Sequence, residues 1–376
     1  MTAKKILLVA NTDWYLFNFR LGLAEYLQRQ GNDVVLLSPT GPYVERLEAA
    51  GFRWLELPLR RRSVNPLSEL APLAALVRIY RRERPDLVHH FTIKCVVYGS
   101  LAAKLVGVSA VVNAVAGMGT VYSSEQRPLL RRLVDGLLKV ALAGRTTQLI
   151  LQNPDDVAVF KRHALMPAER THLIRGSGVD GKRFAVASDV AEQDGCRLLF
   201  AARLLWAKGI RDFVDIGQRY AELPNVHFLI AGSIDEGNPD AVSQAYLDDC
   251  AGRGAVELLG HVDDMAALFR EVDVVILPTR YGEGVPRVLV EAAASGRPLV
   301  AYDVPGCREI VVDGQNGFLV PAGDIEKLAA AVDRLIASPE LRRSMGRKSR
   351  EHFATEYDQE TVLAKTQAIY GLALGM

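Results

Sequence analysis

Short runs of Val, Ile and Leu alternate with longer stretches whose apolar residues recur every three or four positions, almost to the end of the chain. The short runs predict strands at 5–10, 33–37, 54–57, 87–90, 111–115, 148–152 and 171–174, then at 196–201, 227–231, 256–259, 274–277, 299–301 and 318–320. The periodic stretches predict helices at 17–30, 44–50, 67–83, 96–105, 129–143 and 154–163, then at 209–220, 241–251, 265–271, 287–295 and 324–337. The strands are continuous apolar runs, as expected of parallel strands covered on both faces. The rhythm therefore predicts an α/β chain with two Rossmann-like βαβ domains in tandem. The least patterned segment, 176–195, reads as a flexible linker, and the tail from Pro339 to Leu374 reads as helical without a strand. Ligands of open α/β sheets bind beyond the carboxyl ends of the strands, so an interdomain cleft is the expected site.

Composition sharpens this picture in one respect. Over 376 residues, 45 Lys+Arg stand against 44 Asp+Glu, a formal net charge of +1. Residues 1–180 hold 24 basic and 15 acidic residues, a net of +9, and residues 181–376 hold 21 and 29, a net of −8. The asymmetry predicts a different partner for each half and argues against a uniformly basic nucleic-acid binder. With 49% hydrophobic residues the chain is expected to fold. Cys95, Cys196, Cys250 and Cys307 are far apart in sequence and form no C-x-x-C motif, so they are expected to be buried thiols in a reducing cytosol. The apolar run Ile6 to Ala10 is too short for a signal peptide. Leu105 to Ser124 carries no formal charge over a span-length stretch, but Ser109, Asn113, Thr120, Ser123 and three glycines favour a buried strand and a Gly-rich loop over a membrane helix.

The candidate chemistry clusters after predicted strands. Gly176-Ser-Gly178-Val-Asp-Gly181-Lys182 almost matches two phosphate-loop patterns, but Arg183 replaces the Ser/Thr of the P-loop and no helix of useful length follows. No D-x-D occurs and no His pair has ligand spacing, so a metal-centred mechanism has no visible ligand set. His89 and His90 close a strand, and side-chain alternation lets only one face a given side. The richest segment runs from Leu277 to Arg308: a strand ends, a loop with Gly282, Glu283, Gly284 and Pro286 follows, and a helix opens near Arg287 with Glu291 inside it. Loop amides and a helix N-terminus form an anion site. A second cluster, Arg203 and Lys208, follows the first strand of the second half, where a bidentate fork and a point charge can converge on one anion.

These residues resemble the GT-B glycosyltransferases of family 4. Glu283 and Glu291 show that family's E-x7-E spacing, and the resemblance extends through GVDGKRF (178–184), LLGHVDD (258–264), EGVPRVLVEA, VPGCREIV and DGQNGFLVP (313–321). HHFTIK (89–94), YGSLAAKLVGV and VVNAVAGMGTVY resemble the bacterial members that extend undecaprenyl-diphosphate-linked glycans for O-antigen, capsule or N-glycan precursors. The resemblance implies an N-terminal acceptor domain over 1–180, a nucleotide-sugar domain over 181–355 and a terminal helix, 356–376, returning to the first domain. Arg203 and Lys208 would neutralise the diphosphate of a UDP-sugar, Glu291 would hold the ribose, Glu283 would touch the sugar beside the Gly284 and Val285 amides, and Val262 would lie by the uracil. The reaction implied is retaining: front-face attack with the donor phosphate taking the acceptor proton, no protein nucleophile, and no metal or other cofactor. The sugar implied is an N-acetylated hexosamine or a relative of one.

The sequence departs from the family where Asn11-Thr-Asp-Trp-Tyr replaces a Gly-Gly pair, where no histidine follows the strand 111–115, where AGSIDEGNPD (231–240) replaces a common glycine turn, and where Arg280-Tyr281-Gly282 is one residue longer. On the acceptor side the candidates are Asn18, His90, Lys94 and Gly117, Lys94 resting on the FTIK match alone. Clusters at Arg60-Arg61-Arg62, at Arg78, Arg81, Arg82 and Arg84, and at Arg127, Arg131, Arg132 and Lys139, with Trp14, Tyr15, Phe17 and Phe19, suit an anionic inner-membrane surface reached peripherally from the cytoplasm. The alternatives are a UDP-sugar 2-epimerase of the same fold and a soluble transferase with a small acceptor.

Overall fold

The computed structural model describes residues 3–59, 70–117, 128–185, 195–280 and 284–376. The chain forms two compact units, Met1–Gly178 with Gln359–Met376, and Val179–Asp358.

In the first unit, β1 (Lys5–Val9), β2 (Asp33–Ser38), β3 (Arg53–Glu56), β4 (Leu87–Phe91), β5 (Ala110–Val115), β6 (Thr147–Leu151) and β7 (Thr171–Leu173) form one sheet in the order β3-β2-β1-β4-β5-β6-β7. Every pairing is parallel. Val9 pairs with both Leu37 and His90, so the carboxyl ends of three neighbouring strands meet one edge. Strand order reverses between β1 and β4, which makes their carboxyl ends the switch point of this sheet. The five residues of β4, β5 and β6 that pair across the sheet centre are buried, as a parallel sheet covered on both faces requires. The C-terminal helix Gln359–Leu374 covers one face, placing Val362, Leu363, Ile369 and Tyr370 in a core with Ile6, Leu8, Leu36 and Val112.

The first helical region differs from the expected 17–30. Thr12 caps it, accepting from the Tyr15 N–H at 3.1 Å, so helix begins at Asp13. A π-helical turn, Leu16–Arg20, then interrupts it before the regular helix Leu21–Arg29. The Asx/Thr capping chemistry at the end of β1 outweighs the apolar periodicity that begins later.

The second unit repeats the design with β8 (Cys196–Ala201), β9 (Val226–Ala231), β10 (Glu257–Gly260), β11 (Val274–Leu277), β12 (Leu299–Tyr302) and β13 (Gly317–Val320), ordered β10-β9-β8-β11-β12-β13 and parallel throughout. Its switch point lies between β8 and β11. A short helix, Cys307–Ile310, was not foreseen.

The expected flexible linker needs correction. Val179 bridges Asp358, its N–H donating to Tyr357 at 3.0 Å, and Phe184 is buried in the second core. An added Cβ at Gly181 would meet the Asp358 carboxylate at 2.7 Å, and Arg350 donates to the Gly181 carbonyl at 2.9 Å. The glycines that read as flexibility instead permit close packing. Residues 186–194 of that segment lie outside the described residues. The tail also breaks: Pro339–Glu356, capped by Ser338, ends at Tyr357, and the next helix begins at Gln359. Both crossings between units thus run side by side at Val179 and Asp358. All four cysteines are free and buried. No helix among the described residues is long and apolar enough to cross a membrane.

Candidate active site

Because all six strands of the second unit run parallel, the loops after β8, β9, β10 and β11 emerge at one edge. The β8 loop carries Arg203 and a 3-10 turn, Trp206–Lys208. Gly209 follows with φ +82 and opens the helix Ile210–Arg219. A Cβ on Gly209 would sit 2.0 Å from the Pro278 carbonyl oxygen, so the β8 and β11 loops touch backbone to backbone here. The Arg280 N–H donates to the Ala207 carbonyl at 2.8 Å and the Thr279 hydroxyl donates to the same oxygen at 3.3 Å. Gly232, after β9, likewise approaches Ala202, and its N–H donates to Gly260 at the end of β10 at 2.7 Å. Four loops are therefore tied into one rim.

Lys208 is buried and Arg203 half-exposed on that rim. Sequence spacing put both on one anion, whereas the structure pairs Arg203 Nη1 with Asp235 Oδ2 at 2.6 Å, and Asn238 Nδ2 holds the same carboxylate at 2.8 Å. Asp235 belongs to the loop 231–240 that replaces the glycine turn, and its pairing with a residue 32 positions away leaves no spacing signal. Val262 is half-buried just beyond β10. Gly284 and Val285 are buried and lead through Pro286 into the helix Arg287–Ala294, which no side chain caps. Glu291 is buried and accepts from Arg287 Nε at 2.6 Å. Glu283, with Tyr281 and Gly282, lies outside the described residues, as do Arg60, Arg61, Arg62 and Arg127.

A network not seen in the sequence supports the β11 loop. Asp212, buried in the first turn of Ile210–Arg219, accepts from Arg280 Nη2 at 2.8 Å and from the Tyr302 hydroxyl at 2.7 Å. Burial and then the Asp212 carboxylate push the Tyr302 hydroxyl up, which keeps it a donor. An acid in the first turn of a helix is ordinary dipole decoration, so Asp212 carries no distinct signal in the sequence.

In the first unit the acceptor candidates divide. Asn18 lies half-buried in the π turn, its amide donating to the Trp14 carbonyl at 3.0 Å. Lys94 is half-buried in the first turn of the helix Ile93–Val106, immediately beyond β4, and Gly117, with φ +89, follows β5. His90 is corrected: it is fully buried, its Nδ1 bonded to Asn113 Oδ1 and its Nε2 to the Tyr80 hydroxyl, both at 2.8 Å. An amide oxygen only accepts, so Nδ1 carries the proton and the tyrosine donates to Nε2. Burial pulls the His90 imidazole down to about 4, and Gly99 gives it room, since a Cβ there would meet the ring at 2.3 Å. His90 is a scaffold group of the β4–β5 core. Its neighbour His89 faces the other side of the sheet, toward Tyr370.

Two family descriptions match the chain: Glycosyl transferase 4-like over residues 5–153 and Glycosyl transferases group 1 over residues 195–338. The N,N'-diacetylbacillosaminyl-diphospho-undecaprenol alpha-1,3-N-acetylgalactosaminyltransferase of Campylobacter jejuni is 25% identical over 368 residues, covering 94% of this chain and 95% of that protein. The UDP-Gal:alpha-D-GlcNAc-diphosphoundecaprenol alpha-1,3-galactosyltransferase of Escherichia coli is 26% identical over 331 residues, 84% of each chain. Anabaena Alr3699/HepE, solved in complex with UDP, superposes with a TM-score of 0.78 at 21% identity, covering 97% of this chain and 98% of that one. Two Rossmann-like units in one chain, a cationic rim at the second switch point and the two adjoining family matches together identify this protein as a glycosyltransferase of the GT-B fold, with a glycosyl transferase 4-like N-terminal domain and a group 1 C-terminal domain.

Proposed function

We propose that the enzyme moves a sugar, an N-acetylated hexosamine or a relative of one, from a UDP-sugar to a polyprenyl-diphosphate-linked saccharide, with retention of anomeric configuration. One observation carries the donor half of this reading: Lys208, Arg203, Glu291 and the start of the helix Arg287–Ala294 share the carboxyl edge of one parallel sheet at its switch point. An anion is stabilised there by two cations and a helix N-terminus at once. In the reaction the bond between the sugar C1 and the diphosphate oxygen breaks, and the acceptor oxygen bonds to C1 on the same face. The acceptor proton passes to the departing phosphate oxygen, so no protein nucleophile is needed. Lys208 and Arg203 offset the charge that develops on that oxygen, and such preorganised charge is often the largest catalytic term. For Arg203 this requires exchanging Asp235 for the diphosphate, a small cost for a half-exposed ion pair. In this reading the transfer is metal-independent, Lys208 and Arg203 meeting the charge of the leaving diphosphate. Glu291 takes the ribose hydroxyls, Val262 and the β10 loop border the base, and Glu283 meets the sugar.

The acceptor half rests on the basic first unit and on the names of the Campylobacter and Escherichia relatives, both of which act on diphospho-undecaprenol saccharides. The helix Pro128–Leu142 fits a peripheral role at the cytoplasmic face of an anionic membrane. It exposes Leu133 (60%), Leu137 (41%) and Val140 (58%) along one stripe, flanked by exposed Arg132 and Lys139. An apolar stripe with a cationic border inserts at a headgroup boundary. The deciding experiment pairs a panel of UDP-sugars with polyprenyl-diphosphate glycans, reading UDP release and the anomer formed. UDP release that requires such an acceptor and yields an α-linkage from an α-donor is expected. Sugar isomerisation without acceptor, or an inverted product, refutes the reading.

A further inference from the structure

The first unit holds a cation at its own switch point that no carboxylate among the described residues answers. Arg20 closes the π-helical turn that follows β1 and is only 7% exposed. Its guanidinium lies over the ring of Phe91, the last residue of β4, with Cζ 4.2 Å from the centroid. It lies 5.4 Å from the Tyr15 centroid, and Nη2 donates to the Tyr15 hydroxyl at 2.9 Å. Nε is buried with no partner, and among the described residues no acidic group pairs with this arginine. On the same face of the strand, the His89 ring packs 4.0 Å from Phe91; its Nδ1 meets the Tyr370 hydroxyl at 2.7 Å and its Nε2 is buried without a partner. Burial first, then Arg20 and His90, holds His89 well below the usual imidazole range.

A desolvated cation without a counter-ion is costly, and folded proteins pair such groups. The position is where an open α/β sheet binds its ligand. The next element supplies further attraction: Ile93–Val106 begins two residues after Phe91, has no side-chain cap and carries Lys94 in its first turn. Thr92 leads into it at φ +73, a conformation non-glycine residues hold only where the surroundings impose it, commonly at functional sites. A π-helical turn is likewise enriched at such sites.

We infer that Arg20, with Lys94 and the start of the helix Ile93–Val106, forms a phosphate-binding subsite for the anionic group carried by the acceptor. The identity of that group as a lipid-linked diphosphate rests on the function proposed above; the subsite itself rests on Arg20. Calorimetric titration with inorganic pyrophosphate, UDP being saturating so that the donor site is filled, tests it directly. The wild type is expected to bind, Arg20→Gln to lose at least tenfold in affinity, and Arg20→Lys to lose less than Arg20→Gln, because the charge is kept although the stacked fork is lost. Wild-type strength in Arg20→Gln, or no pyrophosphate binding by the UDP-loaded wild type, overturns the inference. Should Arg20→Gln not fold, the half-buried Lys94→Gln decides: a severalfold loss supports the subsite and an unchanged affinity overturns it. Kinetics add the functional arm. Arg20→Gln is expected to raise KM at least tenfold for a polyprenyl-diphosphate glycan while leaving KM unchanged for the UDP-sugar and for the same saccharide on a neutral alkyl chain. An equal rise for both acceptors assigns Arg20 to packing and overturns the inference. A wild type that binds pyrophosphate through Arg20 yet glycosylates only neutral saccharides leaves the anion site standing and refutes the acceptor reading.

Discussion

Gly209 offers the sharpest test of the rim that joins the β8 and β11 loops. Its φ of +82 strains any L side chain, and an added Cβ would stand 2.0 Å from the Pro278 carbonyl oxygen. Real Cβ contacts essentially never fall below 3.0 Å, so in Gly209→Ala the two backbones must part by about 1 Å or the turn must rebuild. The left-handed conformation alone costs about 1–2 kcal/mol. Parting the loops weakens the Arg280 N–H bond to Ala207, worth about 1 kcal/mol more. A loss near 3 kcal/mol lowers Tm by about 6–12 °C for a unit of this size. Activity should suffer more than stability, because Lys208 precedes Gly209 and a displacement of about 1 Å can cost on the order of a hundredfold in rate. Gly254→Ala is the control: φ is +68, but nothing lies within 4 Å of the added Cβ, so only the conformational cost applies. Calorimetry and UDP-release rates on both variants separate the two terms. Equal Tm and equal turnover in Gly209→Ala and Gly254→Ala would refute the reasoning.

Other expectations follow from the same structure. Lys208→Ala and Glu291→Ala should each nearly abolish transfer while circular dichroism stays native; near-normal turnover in both defeats the donor-site assignment. Asp212→Asn should reduce turnover severalfold by loosening Arg280 and Tyr302, which hold the β11 loop, and an unchanged rate in a folded variant would show that the loop is held otherwise. His90 has a folded pKa depressed to about 4 against an ordinary 6.5, so the unfolded chain binds the extra proton, and the stability this residue contributes is complete above about pH 6.5 and lost as pH falls toward 4. That amounts to about 2 kcal/mol at pH 5. Denaturant unfolding of wild type and His90→Gln at pH 7 and pH 5 should therefore show a steeper acid loss in the wild type, and parallel losses would contradict the burial argument. Replacing Leu133, Leu137 and Val140 together by Ser should abolish flotation with anionic vesicles, while wild-type flotation should weaken at high salt; salt-insensitive binding or none in the wild type would remove the membrane from the proposal.

Thirteen strands among the described residues were legible from the chain to within a residue or so at their ends, because short Val/Ile/Leu-rich runs pack best in a parallel sheet covered on both faces. It also placed Arg203, Lys208, Gly284 and Glu291 after strand ends, since loop and helix-start signals are local. The first helix was misjudged in its start, and the glycines of 176–184 were misread as slack, because a capping bond and a close approach leave the same letters as a loop. The rest depended on how the elements stack in space. The strand orders, set by which strands pair, put the switch points at β1/β4 and β8/β11. Arg203 met Asp235, Asp212 met Arg280 and Tyr302, His90 sank into the core between Tyr80 and Asn113, and Arg20 came to rest on Phe91. Each of these partners lies on another strand, helix or loop, brought near by the crossover connections of the sheet. Periodicity reports which face of an element is buried, whereas the partner of a charge depends on how those faces are stacked.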